Sequence, residues 1–244
     1  MALKSIDYKE HTFDISYEIV NPQAKVDFII LHGWGSNKNL MKQSFASYMK
    51  KFRHIYIDLP GFGNSTAFMV LTTKDVAEII EIFLQEINVK KDIILGHSFG
   101  GKVGLLLDPK MLVLVASAGI YIEKPTSVKV KIALFKFLKV FGFAKFRSLF
   151  VADDAKELSH EMYETFKNVV NEDFSREFAS YNGRALLFWG EEDTATPLAS
   201  AQKIDKLIKN SALEVYGGEH YFFMHNAADI SQKIETDFLK NIGV

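Results

Sequence analysis

The order of apolar segments predicts an α/β protein built on a mostly parallel, doubly wound sheet of about eight strands. Three observations carry this. Continuous apolar runs of strand length recur along the chain: VDFIILHG (Val26–Gly33), MLVLVASAG (Met111–Gly119) and RALLFWG (Arg184–Gly190). A run without polar alternation suits a strand buried on both faces. Helix-like segments separate these runs, and that alternation implies parallel pairing. Nearly every strand ends in a glycine or an acid, so ligand chemistry is expected beyond the carboxyl edge of the sheet.

Taken in order, FDISYEIV (Phe13–Val20) alternates and reads as an edge strand. Val26–Gly33 follows as a buried strand, Lys38–Lys51 as a helix, and RHIYIDLPGFG (Arg53–Gly63) as a short strand closed by a Pro/Gly turn. Thr73–Ile87 predicts a helix with Val76, Ile79, Ile80, Phe83, Leu84 and Ile87 on one face. DIIL (Asp92–Leu95) is a strand, GKVGLLL a helix, and Met111–Gly119 the next strand. Residues 120–182 hold no convincing strand and read as a helical cap inserted before the strand at 184–189. The predicted organisation is therefore a core of residues 1–119 and 183–244 with a cap at 120–182. A helix at Ala199–Lys209, a strand at ALEVYGG (Ala212–Gly218) and a helix at Ala227–Leu239 complete the pattern.

Composition narrows the function. The 244 residues are 48% hydrophobic and 24% charged, ordinary for a soluble globular chain. A net charge of -1 offers no field for nucleic acid. There is no cysteine, which excludes thiol catalysis, disulfides and thiolate metal sites and suits a reducing cytoplasm. MALKSIDYKEH lacks the apolar core of a signal peptide, and the apolar stretches are too short to span a bilayer. The expectation is a cytoplasmic protein without stable membrane insertion.

Gly96-His-Ser-Phe-Gly100 joins an apolar run to a helix. It resembles the nucleophile elbow, G-x-S-x-G, of the α/β-hydrolase fold superfamily, in particular a serine carboxylesterase-like member with a short helical cap. In such a turn Ser98 is lifted above the sheet edge, and glycines avoid collision with the neighbouring strand and helix. A serine hydroxyl needs a base, and the base needs an orienting acid. The resemblance places these in the order serine, acid, histidine. Asp193, in the turn after Arg184–Gly190, matches the acid, and His220, in GGEHYFF, matches the base. Glu191 and Glu192 compete for the acid role but follow the strand too closely to reach the histidine loop. Among seven histidines, His97 adjoins the serine, where neighbouring side chains point apart. His225 lies at a helix start and reads as a structural or rim residue, and His11, His54 and His160 have no motif around them.

LHGWGSNK (Leu31–Lys38) resembles the family's H-G-x-G loop. The resemblance implies an oxyanion hole from the backbone N–H groups of Trp34 and Phe99, with His32 bracing the loop. DLPGFGNS (Asp58–Ser65) resembles a structural turn of the family. Two departures stand out: Pro109 follows Ser98 by only eleven positions, which shortens the intervening helix, and the inserted cap is short.

A serine nucleophile implies acyl transfer to water with no metal or organic cofactor. In the cap, Val130, Leu134, Phe137, Leu138 and Phe141 form an apolar stripe. With Trp34, the residues Leu134, Phe137, Leu138 and Phe141 are the expected substrate contacts. Lys129, Lys136 and Lys139 fall on the other side, while Ala152–Glu177 is acidic; charge runs of this kind are usually solvated faces. The sharper alternative is that the basic side receives an anionic acyl carrier, since HGWG and GHSFGG are similar to small carboxylesterases acting on acyl-carrier-protein methyl esters. The expected reaction is hydrolysis of small, largely apolar carboxylic esters. The alternatives are thioester or carbon–carbon bond cleavage and, outside enzymes, a receptor that retains the triad.

Overall fold

The computed structural model describes residues 1–121 and 159–241. Its strands form one eight-stranded sheet in the order β1-β2-β4-β3-β5-β6-β7-β8. They are β1 (Ala2–Tyr8), β2 (His11–Val20), β3 (Val26–Leu31), β4 (Phe52–Ile57), β5 (Ile93–His97), β6 (Met111–Val115), β7 (Arg184–Gly190) and β8 (Ser211–Tyr216). From β4 to β8 the pairing is parallel, while β1–β2 and β2–β4 are antiparallel.

Successive strand residues face opposite layers. Phe28 and Ile30 of β3, with Met111 and Val113 of β6, pack into a cluster with Met41 and Phe45 of α1 (Lys38–Phe45) and Phe223, Ile230 and Ile234 of α7 (Phe223–Asn241). Ile29 and Leu31 turn the other way, onto Ile79, Ile80 and Phe83 of α2 (Thr73–Glu86) and Val103 of α3 (Phe99–Leu106). Leu112 and Leu114 join Ala201 and Ile204 of α6 (Leu198–Leu207) on that same side. This two-sided burial explains why the central strands are continuous apolar runs. Helix α2 starts with a capping box, in which Thr72 and Asp75 satisfy each other's backbone N–H groups.

The edge assignment differs from the sequence reading. Phe13–Val20 lies inside the sheet, and the edge strand is β1, paired residue for residue with β2 from Ala2↔Tyr17 to Tyr8↔His11. β1 mixes Lys4, Ser5 and Asp7 with apolar residues, because an edge strand with one wet face needs few apolar residues and gives a weak signal. The last helix starts at Phe223 rather than Ala227.

Within the 120–182 stretch, the described part contains two helices, α4 (His160–Val169) and α5 (Ser175–Ser180), and no strand. The expected contacts Leu134, Phe137, Leu138 and Phe141, like Val130 and Lys129, Lys136 and Lys139, lie outside the described residues. Helix α4 turns Met162, Thr165 and Val169 inward. It is tied to the loop ahead of α2, where the Leu71 N–H donates to Thr165 Oγ1 at 2.9 Å.

Candidate active site

The carboxyl ends of β3, β5, β7 and β8 converge on one cavity of about 800 Å³, lined by Trp34, Ser98, Phe99, Thr196, His220 and Phe166 among others. Ser98 follows β5 directly and has φ +50°, a left-handed conformation that costs a non-glycine residue about 1–3 kcal/mol. The surrounding backbone holds it there. Ser98 N–H donates to Val115 O, and Ser98 O accepts from the N–H groups of Gly101 and Ala118. Two glycines make room. A Cβ on Gly96 would lie 2.3 Å from Gly100 O, and one on Gly100 would lie 2.6 Å from His32 O. Both positions are closed to any side chain by backbone atoms.

Asp193 and His220 meet between the β7 and β8 loops, with His220 Nδ1 2.8 Å from Asp193 Oδ2. The acid is 4% exposed. Its Oδ1 accepts from Ala195 N–H at 2.8 Å and Thr196 N–H at 2.9 Å. Thr196 Oγ1 lies 2.8 Å from Oδ2 and 3.0 Å from Ala116 O. Burial alone would raise the Asp193 carboxyl, but the hydrogen bonds from His220 and the Thr196 backbone outweigh it and hold it below the ordinary carboxylate range. An ionised acid at Nδ1 fixes the proton there and leaves Nε2 of His220 free to accept one. Glu191 and Glu192 are exposed, and neither takes the acid's place beside His220.

His97 is buried beneath the base. Its Nε2–H donates to the His220 carbonyl at 3.2 Å, and the two rings lie 4.7 Å apart. The expectation that its side chain points away from the chemistry is thus only half right: it touches the base's loop. Desolvation, reinforced by the neighbouring His220, lowers its pKa to about 3, so it stays neutral. The bare Nδ1 has no partner among the described residues, and it abuts the space where Gly33 lacks a Cβ.

On the opposite wall His32 braces the loop after β3. Nδ1–H donates to Gly33 O at 2.7 Å and Nε2 accepts from Leu59 N–H at 3.0 Å, which fixes the tautomer, and burial lowers its pKa to about 4. The DLPGFGNS turn backs this loop: buried Asp58 receives Lys38 Nζ at 2.5 Å, Lys38 N–H at 2.7 Å and Asn64 N–H at 3.0 Å. The Trp34 ring packs against Phe62, Phe99 and Phe166. Phe99 is the first residue of α3, so its N–H has no acceptor within the helix.

The structure therefore brings Ser98, His220, Trp34 and Phe99 together around one cavity, with Asp193 buried and bonded to His220. Sequence reasoning missed Thr196 beside the acid and the α4 wall of Phe166, Val169 and Val170, while His225, read as a structural or rim residue, does line the cavity. The wall had a signal in Met162, Phe166 and Val169 at helical spacing, masked by the acidic residues around them, Glu161, Glu164 and Glu172 among them. Among the described residues no cluster of His, Asp and Glu could hold a metal ion, and no helix is long and apolar enough to cross a membrane.

A family model described as "Alpha/beta hydrolase family" matches residues 28–232. An uncharacterized hydrolase, YugF, of Bacillus subtilis is 23% identical over 93% of this chain and 94% of its own. A pimeloyl-[acyl-carrier protein] methyl ester esterase of Proteus mirabilis is 37% identical, over 33% of this chain and 30% of that enzyme. In fold, the chain is similar to an esterase from Exiguobacterium antarcticum, with TM-score 0.72, 21% identity and coverage of 92% and 95% of the two chains. The sheet order, the elbow and the family match agree: the chain belongs to the alpha/beta hydrolase family and is a hydrolase.

Proposed function

We propose that the protein is a serine hydrolase cleaving small, largely apolar carboxylic esters through an acyl-enzyme on Ser98. The observation that carries this is the 2.8 Å contact of His220 Nδ1 with Asp193 Oδ2, in a cavity that Ser98 also lines. Ser98 Oγ attacks the carbonyl carbon while His220 Nε2 takes the hydroxyl proton. The carbonyl oxygen becomes an oxyanion facing the N–H groups of Trp34 and Phe99. As the tetrahedral intermediate collapses, the C–O bond to the alcohol breaks and His220 returns the proton to that alcohol. Water, deprotonated by His220, then attacks the acyl-enzyme and releases the acid and free Ser98.

Trp34, Phe99, Phe166, Val169 and Val170 give the cavity an apolar wall, which suits an apolar acyl group. The residues at 120–182 serve as the cap, with α4 and α5 as the described helices of it. A panel of p-nitrophenyl esters tests the reading. Turnover is expected for the protein and not for Ser98→Ala, and undiminished turnover in Ser98→Ala overturns it.

A second reading rests on the Proteus mirabilis relative, whose name gives it an acyl-carrier-protein methyl ester as substrate. On that reading Lys129, Lys136 and Lys139 receive the anionic carrier. Changing all three to glutamate is then expected to abolish turnover of the carrier-bound ester at low salt, while p-nitrophenyl acetate is still hydrolysed. Survival of carrier-ester turnover removes this reading and leaves the first intact.

A further inference from the structure

Lys102 lies one turn beyond Ser98 on α3, outside the proposed triad. Its side chain is 3% exposed and borders the Ser98 cavity. Lys102 Nζ donates to Val169 O at 2.5 Å and to Glu172 Oε2 at 2.8 Å. The rings of Phe99 and Phe174 cover it at 5.4 and 5.3 Å. The same Glu172 oxygen accepts from Thr73 Oγ1 at the start of α2. Burial pulls the ammonium below the ordinary lysine range, and Glu172 opposes that pull. An unpaired ammonium here would be costly, so the cluster holds as a unit.

The cluster's position gives it a second consequence. Val169 is the last residue of α4, where carbonyls lack helical partners and favour a cation. Among the described residues the other side-chain hydrogen bonds of α4 to the core, from Thr165 and Asn168, run to Leu71, while Met162, Phe166 and Val169 pack on it through apolar contact. Lys102 is what fastens its carboxyl end to the helix that follows the serine. That end carries Phe166, Val169 and Val170 into the cavity. Two of the three Nζ donors are engaged and the charge is matched by Glu172, which leaves Lys102 poorly placed to read a charge on substrate.

We propose that Lys102 and Glu172 form a positioning pair that sets the spacing between Ser98 and the Phe166–Val169–Val170 wall, and so selects acyl length. This rests on the Ser98 acyl-enzyme reading. The test compares kcat/KM for p-nitrophenyl acetate and hexanoate in the wild-type protein, Lys102→Met, Glu172→Gln and the double variant Lys102→Met/Glu172→Leu, which removes both charges should one single variant fail to fold. A fluorophosphonate label on wild-type Ser98 is read in parallel. The expected result is a change of about tenfold in the hexanoate-to-acetate ratio, carried mainly by KM, in every variant that folds. An unchanged ratio, even with lower rates throughout, overturns the proposal and leaves the pair a purely structural role. An unchanged ratio with selective loss of succinyl monoester turnover overturns it in favour of charge recognition by Lys102. Failure of wild-type Ser98 to label overturns the acyl-enzyme reading, and the positioning proposal with it.

Discussion

Asp193 Oδ2 and His220 Nδ1 lie 2.8 Å apart across 27 residues of sequence, each at the end of a different parallel strand. The sheet brings them together: β7 and β8 are neighbours in register from Ala185↔Ser211 to Gly190↔Tyr216, so the loops that leave them emerge side by side. Glu191 N–H and Glu192 N–H donate to Tyr216 O and Gly218 O, stitching the two loops before the acid and the base are reached. Asp193→Asn keeps this shape but permits the wrong imidazole tautomer. Its kcat is expected to fall roughly 10³–10⁴-fold with a melting temperature close to wild type, as read by ester turnover and thermal unfolding.

The pH dependence of stability follows from the buried imidazoles. His97 and His32 are lowered to about 3 and 4 from 6.5, and His54 is lowered as well. Between 6.5 and 4 the unfolded chain binds protons that the folded chain does not. Stability is therefore full above 6.5 and falls as pH drops, by up to about 1.4 kcal/mol per pH unit per histidine. The aspartates held low, such as Asp193, add their loss as pH falls below their ordinary value of 3.8. Urea midpoints from pH 7 to 4.5 are expected to decline, and less steeply in His97→Gln.

The elbow tolerates no side chain at its glycines. Gly100→Ala would put a methyl group 2.6 Å from His32 O and 2.7 Å from Leu31 O, so β3 and α3 must part. A loss of more than about 2 kcal/mol in urea unfolding is expected, or failure to fold. A stability equal to wild type would mean that the β3–α3 approach is looser than described.

Lys38 and Asp58, 1% and 0% exposed, pair beneath the loop that carries Trp34. Lys38→Met leaves the Asp58 carboxylate buried without its cation and is expected to cost about 3–5 kcal/mol. Chemical denaturation measures this directly.

Much of this was legible in the sequence, for physical reasons that differ by element. β3 and β6 showed as unbroken apolar runs because helices cover both their faces. Ser98 showed because only glycine fits at Gly96 and Gly100, and a spacing imposed by backbone contact survives in sequence. β1 did not show, since only Ile6 and Tyr8 of it turn into the core beside α2 while its other residues face β2 and solvent. Thr196 was hidden because a threonine before a proline also reads as ordinary turn chemistry, and its bond to Asp193 depends on how the β7 loop folds back. His97 was visible as a residue but not as a contact: its hold on the His220 carbonyl links the end of β5 to the loop after β8, three places away in the sheet. The α4 wall was obscured by glutamates that belong to its outer face.

The central claim is that Ser98 carries the acyl group. Rapid mixing with p-nitrophenyl acetate, followed by acid quench and mass analysis of peptides, tests it most directly. The account predicts a nitrophenol burst approaching one per protein, with an added acetyl mass on the peptide containing Ser98, and neither in Ser98→Ala. Turnover with no acylated Ser98 peptide and undiminished rate in Ser98→Ala would contradict it.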